Sequence, residues 1–304
     1  MPFPALVAAG SPIPVPGLAF GSGATWRSNP RPLREDGTAP AVVEAVSSAA
    51  AAGFRHFDCA EAYQTERSVG AALAAAGVPR SELFVTSKVY RALPHVEDEV
   101  RRQLRGLRSE HFDLFLIHTP KAVEMAGLTQ GEAWARLEGL VDEGLTKAIG
   151  VSNYTPSDLD ALLPSARILP TVNQISLYPY IYDRNLATIE YCSSRGILIE
   201  AYELASSIIR PSEQGGPLDP VLERIVDELE GSSGTRWTPG QVLLAWASAK
   251  GWVAVTTSSK RERQEEYVAA GDISLTQEQV DAIDQAGKEG AERGFGTYSS
   301  WSRG

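Results

Sequence analysis

Three ionisable residues, Asp58, Lys88 and His118, lie 30 residues apart along the chain, and each ends a short apolar run. The three runs are 54–58, 83–88 and 114–118. A strand, a helix and their two loops take about 30 residues, so the spacing predicts three successive parallel strands. In a (β/α)8 barrel the carboxyl ends of the strands form the face that holds catalytic residues. We therefore expect these three side chains to meet at one site.

Tyr63 follows the first run by five residues and completes a set with acid–base chemistry. A tyrosine hydroxyl, with a pKa of about 10, is a weak acid at neutral pH, and a nearby lysine ammonium lowers that pKa. An aspartate paired with the lysine holds it in place, and a histidine hydrogen-bonds a substrate oxygen or shares the proton. Such a set suits the protonation of an oxygen that gains negative charge, as in carbonyl reduction. The hydride must come from a cofactor, since no side chain supplies one.

Several separated motifs resemble the aldo-keto reductase family in the right order. The stretch 53–63, with Glu66 and Gly70, resembles the family signature. Further matching segments are 113–118, 144–153 and 172–174, and the likeness runs from about residue 14 to about residue 285. Within the family the chain looks most like fungal NADPH-dependent reductases of conjugated polyketones and dicarbonyls, through 21–26 and 256–260.

The resemblance implies an α/β fold in which residues 1–304 form one (β/α)8 TIM barrel with an N-terminal β-hairpin around Gly10. Seven strands are predicted from apolar runs, and we place the eighth at 268–275. The seven runs are 54–58, 83–88, 114–118, 147–151, 171–176, 197–202 and 252–256. Residues 121–131 are predicted to form a loop over the site, and 206–220 a mobile polar segment.

The resemblance also assigns roles to residues. The catalytic set would be Asp58, Tyr63, Lys88 and His118. The nicotinamide would be held by Ser152, Asn153, Gln174 and Tyr202, the last by ring stacking. The adenosine end would be held by Ser258, Lys260, Arg263 and Glu266. The substrate pocket would include Trp26, Tyr90 and Thr119. Taken singly, these residues have other interpretations. Tyr63 would be a half-buried aromatic residue, Asp58 and Lys88 a structural ion pair, and Ser152, Asn153 and Gln174 loop caps.

Cofactor and substrate preference depend on a few departures from the family pattern. Arg263 suits bidentate binding of a 2′-phosphate, so NADPH is expected over NADH, although Thr257 stands where the family has a lysine.

Tyr90 and Thr119 replace tryptophans, which indicates a wider or more polar pocket mouth. Activated ketones, such as vicinal dicarbonyls or keto-lactones, are therefore expected to be better substrates than simple aldehydes. After Tyr202 the family's Ser-Pro-Leu-Gly is replaced by 203–206, where Glu203 would be unfavourable near a phosphate.

Composition narrows the remaining possibilities. The net charge is −10 and no basic patch stands out, which argues against nucleic-acid binding. Two cysteines make no disulfide framework, so a reducing, cytoplasmic location is expected. Four histidines and two cysteines show no metal-ligand spacing, and we predict no metal. Prolines interrupt the apolar N-terminus, so no signal peptide is predicted, nor is any run long enough to span a membrane.

The expected partner is a small-molecule carbonyl substrate, and a monomer is the family default. Two other functions stay open at this stage. One is a nicotinamide-binding regulatory subunit that turns over slowly, as in channel-associated family members. The other is a barrel hydrolase with paired carboxylates, although only Asp58 is convincingly at a strand end.

Overall fold

The computed structural model describes residues 3–23 and 33–297. Near the N-terminus β1 (Ala5–Leu6) and β2 (Val15–Pro16) pair antiparallel. The strands that follow are all parallel and form a closed barrel. They are β3 (Leu18–Gly21), β4 (His56–Asp58), β5 (Phe84–Val89), β6 (Phe112–Ile117), β7 (Thr146–Ser152), β8 (Val172–Ser176), β9 (Leu198–Tyr202) and β10 (Val253–Thr256). They lie in chain order around the barrel, and β10 pairs with β3 to close it.

The helices lie outside this barrel, and their apolar faces pack against the outward-facing strand residues in the larger of two cores. The α-helices of the described residues are α1 (Pro40–Ala52), α2 (Glu66–Ala75), α3 (Val96–Leu107), α4 (Pro120–Met125), α5 (Gln130–Asp142), α6 (Pro156–Leu162), α7 (Pro179–Ser193), α8 (Ser206–Ile209), α9 (Leu218–Ser233), α10 (Pro239–Ala249), α11 (Arg261–Ala269) and α12 (Gln277–Glu292). The alternation of strands and helices confirms the predicted (β/α)8 fold.

Local sequence signals explain where the helix before the first site-bearing strand begins and ends. Pro40 stands in the first turn of α1, where its missing N–H costs nothing. Gly53 ends the helix with a φ of 113°, a conformation that side chains other than glycine rarely adopt. Its N–H donates to the carbonyl oxygens of Ala49 and Ala50. This cap turns the chain into β4, which carries Asp58 at its carboxyl end.

A second, smaller core fills the amino-terminal half of the barrel. It is apolar and includes Phe84, Val172 and Val253 from different strands. Val15 of the hairpin belongs to the same core, and Ile13 packs against it. The predicted hairpin is thus confirmed, and it covers the amino-terminal end of the barrel. The open end is the carboxyl end, where the site residues lie.

The barrel corrects the prediction for one strand. Residues 268–275, expected to form the eighth strand, instead end α11 and continue into a 3-10 turn, Ala270–Asp272. The missing strand is β3, a run of only four residues that begins after Gly17 and ends at Gly21. This strand is too short to show a hydrophobic period in the sequence. The apolar residues of 268–275, which suggested a strand, pack among the outer helices.

Two predicted loops also contain helix. Within 121–131, expected to be a loop, α4 occupies the first half, because Thr119 caps it and Pro120 stands in its first turn. The segment 206–220, expected to be mobile, holds α8 and a 3-10 turn, Pro211–Glu213.

Candidate active site

Asp58 and Lys88 form a buried ion pair at the carboxyl ends of adjacent strands. Lys88 Nζ donates to Asp58 Oδ1 at 2.6 Å, to Oδ2 at 2.7 Å and to the Cys59 carbonyl oxygen at 3.0 Å. Burial opposes the charged form of Lys88, but the Asp58 carboxylate that it binds outweighs the burial, so the pKa of Lys88 lies above its ordinary value. Gln174 Nε2 donates to Asp58 Oδ2 at 2.9 Å and holds the carboxylate from the opposite side.

Tyr63 and His118 lie against this pair. Tyr63 ends a 3-10 turn, Glu61–Tyr63, that follows β4. Its ring centre is 5.2 Å from Lys88 Nζ and 5.6 Å from the ring centre of His118, with the two rings nearly perpendicular. His118 follows β6 and is almost fully buried. The structure thus brings together all four residues that the sequence analysis grouped as catalytic.

Two neighbours of Tyr63 were not assigned a role from the sequence. Gly23 lies so close to the tyrosine that a Cβ at this position would be 2.6 Å from ring carbons. The Glu61 carboxylate accepts hydrogen bonds from the backbone N–H groups of Tyr90 and Ala92, at 2.6 and 3.2 Å. Gly23 gives the ring its space, and Glu61 ties the tyrosine turn to the loop after β5. The glycine cluster at 21–23 was the available signal for the first, and no spacing pattern marked the second.

The residues predicted to hold a nicotinamide form one hydrogen-bonded group beside His118. Ser152 Oγ donates to the Gln174 carbonyl oxygen at 2.8 Å, and Asn153 Nδ2 donates to the His118 carbonyl oxygen at 3.1 Å. The Tyr202 hydroxyl donates to Asn153 Oδ1 at 2.8 Å. Asn153 has a φ of 62°, the left-handed region that asparagine tolerates better than most residues. The four side chains therefore lie on or directly after three consecutive strands, β7, β8 and β9.

A cavity of about 580 Å³ lies between α8, α9, α10 and α11, and α8 follows the strand that ends at Tyr202. Its apolar walls include Ile208, Leu222 and Pro239, and Arg263 and Glu266 reach it from α11. Further carboxylates lining it are Asp219 and Glu223. Ser258 and Lys260, predicted to act with Arg263, do not line this cavity. They lie just before α11, where the Lys260 N–H donates to Ser258 Oγ at 3.0 Å.

Glu203, which the sequence analysis found unfavourable near a phosphate, is held by two neighbours. Its Oε2 accepts from Ser176 Oγ at 2.7 Å, and its Oε1 accepts from Arg210 Nη2 at 3.3 Å. Its φ is 68°, an uncommon backbone conformation for glutamate. The Arg210 guanidinium therefore offsets part of the Glu203 charge.

The three residues predicted to line the substrate pocket differ in how the structure places them. Tyr90 is half-buried, and its ring centre lies 6.2 Å from that of His118. Thr119 is next to His118, but its hydroxyl accepts a hydrogen bond from the Lys121 N–H and caps α4. Trp26 lies outside the described residues. Tyr90 is thus the predicted pocket residue whose ring faces the histidine.

The two cysteines and His56 of the described chain are buried and show no sign of a catalytic role. Cys59 and Cys192 are buried free thiols, and burial raises the pKa of both. His56 is fully buried, and desolvation lowers its pKa to about 4. Within residues 3–23 and 33–297 no cluster of three or more His, Cys, Asp or Glu side chains is arranged to hold a metal ion. None of the helices described there combines the length and the apolarity that a membrane crossing requires.

Comparison with known proteins gives a consistent result. A sequence model of the aldo/keto reductase family matches residues 18–288. The NAD/NADP-dependent indole-3-acetaldehyde reductase of Schizosaccharomyces pombe is 33% identical, over 95% of this chain and 97% of that protein. Rat aldo-keto reductase family 1 member A1 is 32% identical, over 93% of this chain and 89% of that protein. The crystal structure of a Bombyx mori aldo-keto reductase in complex with NADP matches with a TM-score of 0.79 and 28% identity, covering 95% and 94% of the two chains.

Proposed function

We propose that this chain, which belongs to the aldo/keto reductase family, reduces activated ketones to alcohols with NADPH. As a member of that family it is an NAD(P)H-dependent oxidoreductase that acts on carbonyl groups. The observation that carries the finer proposal is the convergence of Tyr63 and His118 on the buried Asp58–Lys88 pair. This arrangement suits protonation of a carbonyl oxygen as it gains charge.

Each of the four residues has a distinct task in this proposal. The Tyr63 hydroxyl donates its proton to the carbonyl oxygen. The Lys88 ammonium, 5.2 Å from the ring centre, stabilises the phenolate that remains. Asp58 keeps Lys88 in place and compensates its burial. His118 orients the carbonyl oxygen by hydrogen bonding. When bound, the nicotinamide supplies the hydride.

The residues beside the catalytic set fit a dinucleotide. We assign Ser152, Asn153 and Gln174 to the nicotinamide carboxamide, since a planar amide needs both donors and acceptors. Tyr202 is assigned to the face of the nicotinamide ring. The cavity next to Arg263 supports the assignment of the adenosine end, because apolar walls suit an adenine and the guanidinium suits a phosphate.

NADPH is proposed over NADH because Arg263 lines the cavity and is suited to bidentate binding of a 2′-phosphate. Glu266 is assigned to the adenosine hydroxyl or amino groups, and Ser258 and Lys260 to the outer side of the phosphate. Three carboxylates line the same cavity, those of Asp219, Glu223 and Glu266. Their negative charge disfavours the 2′-phosphate and so limits the preference for NADPH over NADH. The Schizosaccharomyces pombe relative is named as an NAD/NADP-dependent reductase.

The proposed substrate class is supported by the residue types at the expected pocket mouth. Tyr90 and Thr119 make it more polar than tryptophans would, and Trp26 is assigned to its remaining wall. We therefore propose vicinal dicarbonyls and keto-lactones as preferred substrates, with simple aldehydes as secondary ones, a specificity like that of the fungal polyketone reductases. The test is the ratio of kcat/KM for a cyclic vicinal diketone to that for a plain aldehyde, with NADPH. A ratio above one supports the proposal, and a strong aldehyde preference overturns it.

The alternative of a slow regulatory subunit gains no support, since the relatives above are named as reductases. The hydrolase alternative gives way to the family assignment. A cytoplasmic monomer made of one domain, residues 1–304, remains part of the proposal. It rests on the family default and on the two free, buried cysteines.

A further inference from the structure

Glu200 lies inside the barrel, below the catalytic set. It is the middle residue of β9 and is fully buried. Its neighbour across the β8–β9 ladder is Gln174, which directs its amide to Asp58. Neither carboxylate oxygen of Glu200 forms a hydrogen bond with another described residue. The side chain is therefore a buried acid without hydrogen-bonding support for a charge.

The groups around Glu200 leave its charge uncompensated. His56 on β4 has its Nε2 3.9 Å from Glu200 Oε1, but burial lowers the pKa of that imidazole to about 4, so it is neutral. Asp58, also on β4, is negative and disfavours a second carboxylate. Lys88 on β5 is positive, but it already binds both oxygens of Asp58. On the other neighbouring strand, β10, the paired residue is Val253, and it is apolar.

These surroundings favour the neutral acid. A buried carboxylate without hydrogen bonds is strongly disfavoured relative to its protonated form. Burial first, and then the Asp58 carboxylate, raise the pKa of Glu200 to about 8. Lys88 opposes the rise, and the nearby Gln174 amide, which donates to Asp58 instead, opposes it least. The buried cluster is then electrically balanced at neutral pH, with one carboxylate for one ammonium.

We propose that Glu200 is a positioning residue for the reaction: it holds a proton at neutral pH and acts on Tyr63 through Lys88. This role rests on the proposed reductase function. With Glu200 neutral, the Lys88 charge is shared with Asp58 alone and remains available to the phenolate of Tyr63. When Glu200 ionises, a second negative charge faces Lys88 and opposes the phenolate. Reduction therefore slows when Glu200 loses its proton to solvent.

The first test is the pH dependence of kcat/KM for carbonyl reduction in the wild type and in Glu200→Gln, which keeps the shape and cannot ionise. The wild type is expected to lose roughly fivefold in rate across a step near pH 8. The variant is expected to lack that step. Glu190→Gln, on the exposed side of α7, removes the same charge from the surface and should keep the wild-type profile.

The second test is stability and needs no activity. The folded protein keeps the Glu200 proton at pH values where an unfolded glutamate, with a pKa of about 4.3, has lost it. The wild type therefore loses stability relative to Glu200→Gln as pH rises from about 5 to about 8. We expect the melting-temperature difference between wild type and variant to change steadily in that direction. A melting-temperature difference that does not change with pH would contradict the proposal that Glu200 is protonated in the folded protein.

The two tests separate this role from the proposed function. A stability difference that varies with pH, together with identical rate profiles, overturns the positioning role and leaves the reductase proposal intact. Absence of any carbonyl reduction by the wild type overturns the proposed function and the positioning role with it. If Glu200→Gln lacks the step near pH 8 and Glu190→Gln keeps it, the result supports both the reductase function and the positioning role.

Discussion

The ammonium of Lys88 lies between the two oxygens of Asp58, at 2.6 and 2.7 Å, and the lysine side chain has no exposed surface. Many of the ion pairs between described residues are solvent-exposed on both sides, and such pairs contribute little to stability. A buried pair behaves differently, because the removal of one partner leaves the other charge uncompensated. The geometry of this pair therefore links stability and catalysis at a single position.

Asp58→Asn should damage both properties. Without the carboxylate the buried Lys88 charge is uncompensated, and we expect a loss of about 3 to 5 kcal/mol in the free energy of unfolding. Reduction should slow by about 100-fold or more, since Lys88 loses its anchor. Denaturant unfolding and steady-state kinetics measure the two effects. The control is Glu143→Gln, which breaks the exposed Arg101–Glu143 pair and should cost no more than about 1 kcal/mol. Equal costs for the two variants would contradict the account.

Gly23→Ala should displace the ring of Tyr63. The new Cβ would lie 2.6 Å from ring carbons, a separation that requires movement. Because a displacement of about 1 Å can cost about 100-fold in rate, kcat should fall by roughly 10-fold to 100-fold.

The matched control is Gly139→Ala within α5, where a Cβ meets nothing within 4 Å. That change should leave the rate unaltered and stabilise the helix by up to about 1 kcal/mol. If Gly23→Ala is as active as the wild type, the tight contact with Tyr63 does not set the position of the hydroxyl.

His56 should make the protein sensitive to mild acid. Burial lowers its pKa to about 4, so the folded protein keeps the ring neutral while an unfolded histidine takes up a proton below about pH 6.5. The unfolded state then binds more protons, and stability falls as pH drops from about 6.5 to about 4. We expect a loss of about 3 kcal/mol from this group over that range.

The measurement is the free energy of unfolding of wild type and His56→Gln over this pH range. The difference between the two proteins should shrink as the pH falls, while His95→Gln, at an exposed position, should follow the wild type. A constant difference between wild type and His56→Gln would show that the buried imidazole does not resist protonation.

Arg263→Met should weaken NADPH binding more than NADH binding. The guanidinium lines the cavity assigned to the adenosine end, so its loss should raise the Kd for NADPH by roughly 10-fold and leave that for NADH within about threefold. Arg261→Met is the control, because Arg261 lies on the same helix and pairs with Glu265 on the exposed surface. Equal losses for both cofactors would remove the 2′-phosphate role of Arg263.

Much of the barrel can be read from the sequence, because inward and outward residues of buried strands form apolar runs that end in polar site residues. β3 could not be recognised in this way, since its four residues, the last of them Gly21, carry too little pattern. The close contact of Gly23 with Tyr63 depends on how two distant segments meet, which spacing along the chain does not encode. Glu200 is visible in the sequence as an ionisable residue inside an apolar strand, but its role could be inferred only from its neighbours in the folded barrel.

The most direct test of the central claim is Tyr63→Phe, assayed for NADPH-dependent reduction of a vicinal diketone and for NADPH binding by tryptophan fluorescence quenching. The change removes the proton donor and leaves the ring that packs on Gly23 and His118. We predict a fall in turnover of about 100-fold to 10,000-fold with NADPH affinity within about threefold of the wild type. A variant that binds NADPH and reduces the diketone at the wild-type rate would contradict the assignment of Tyr63 as proton donor.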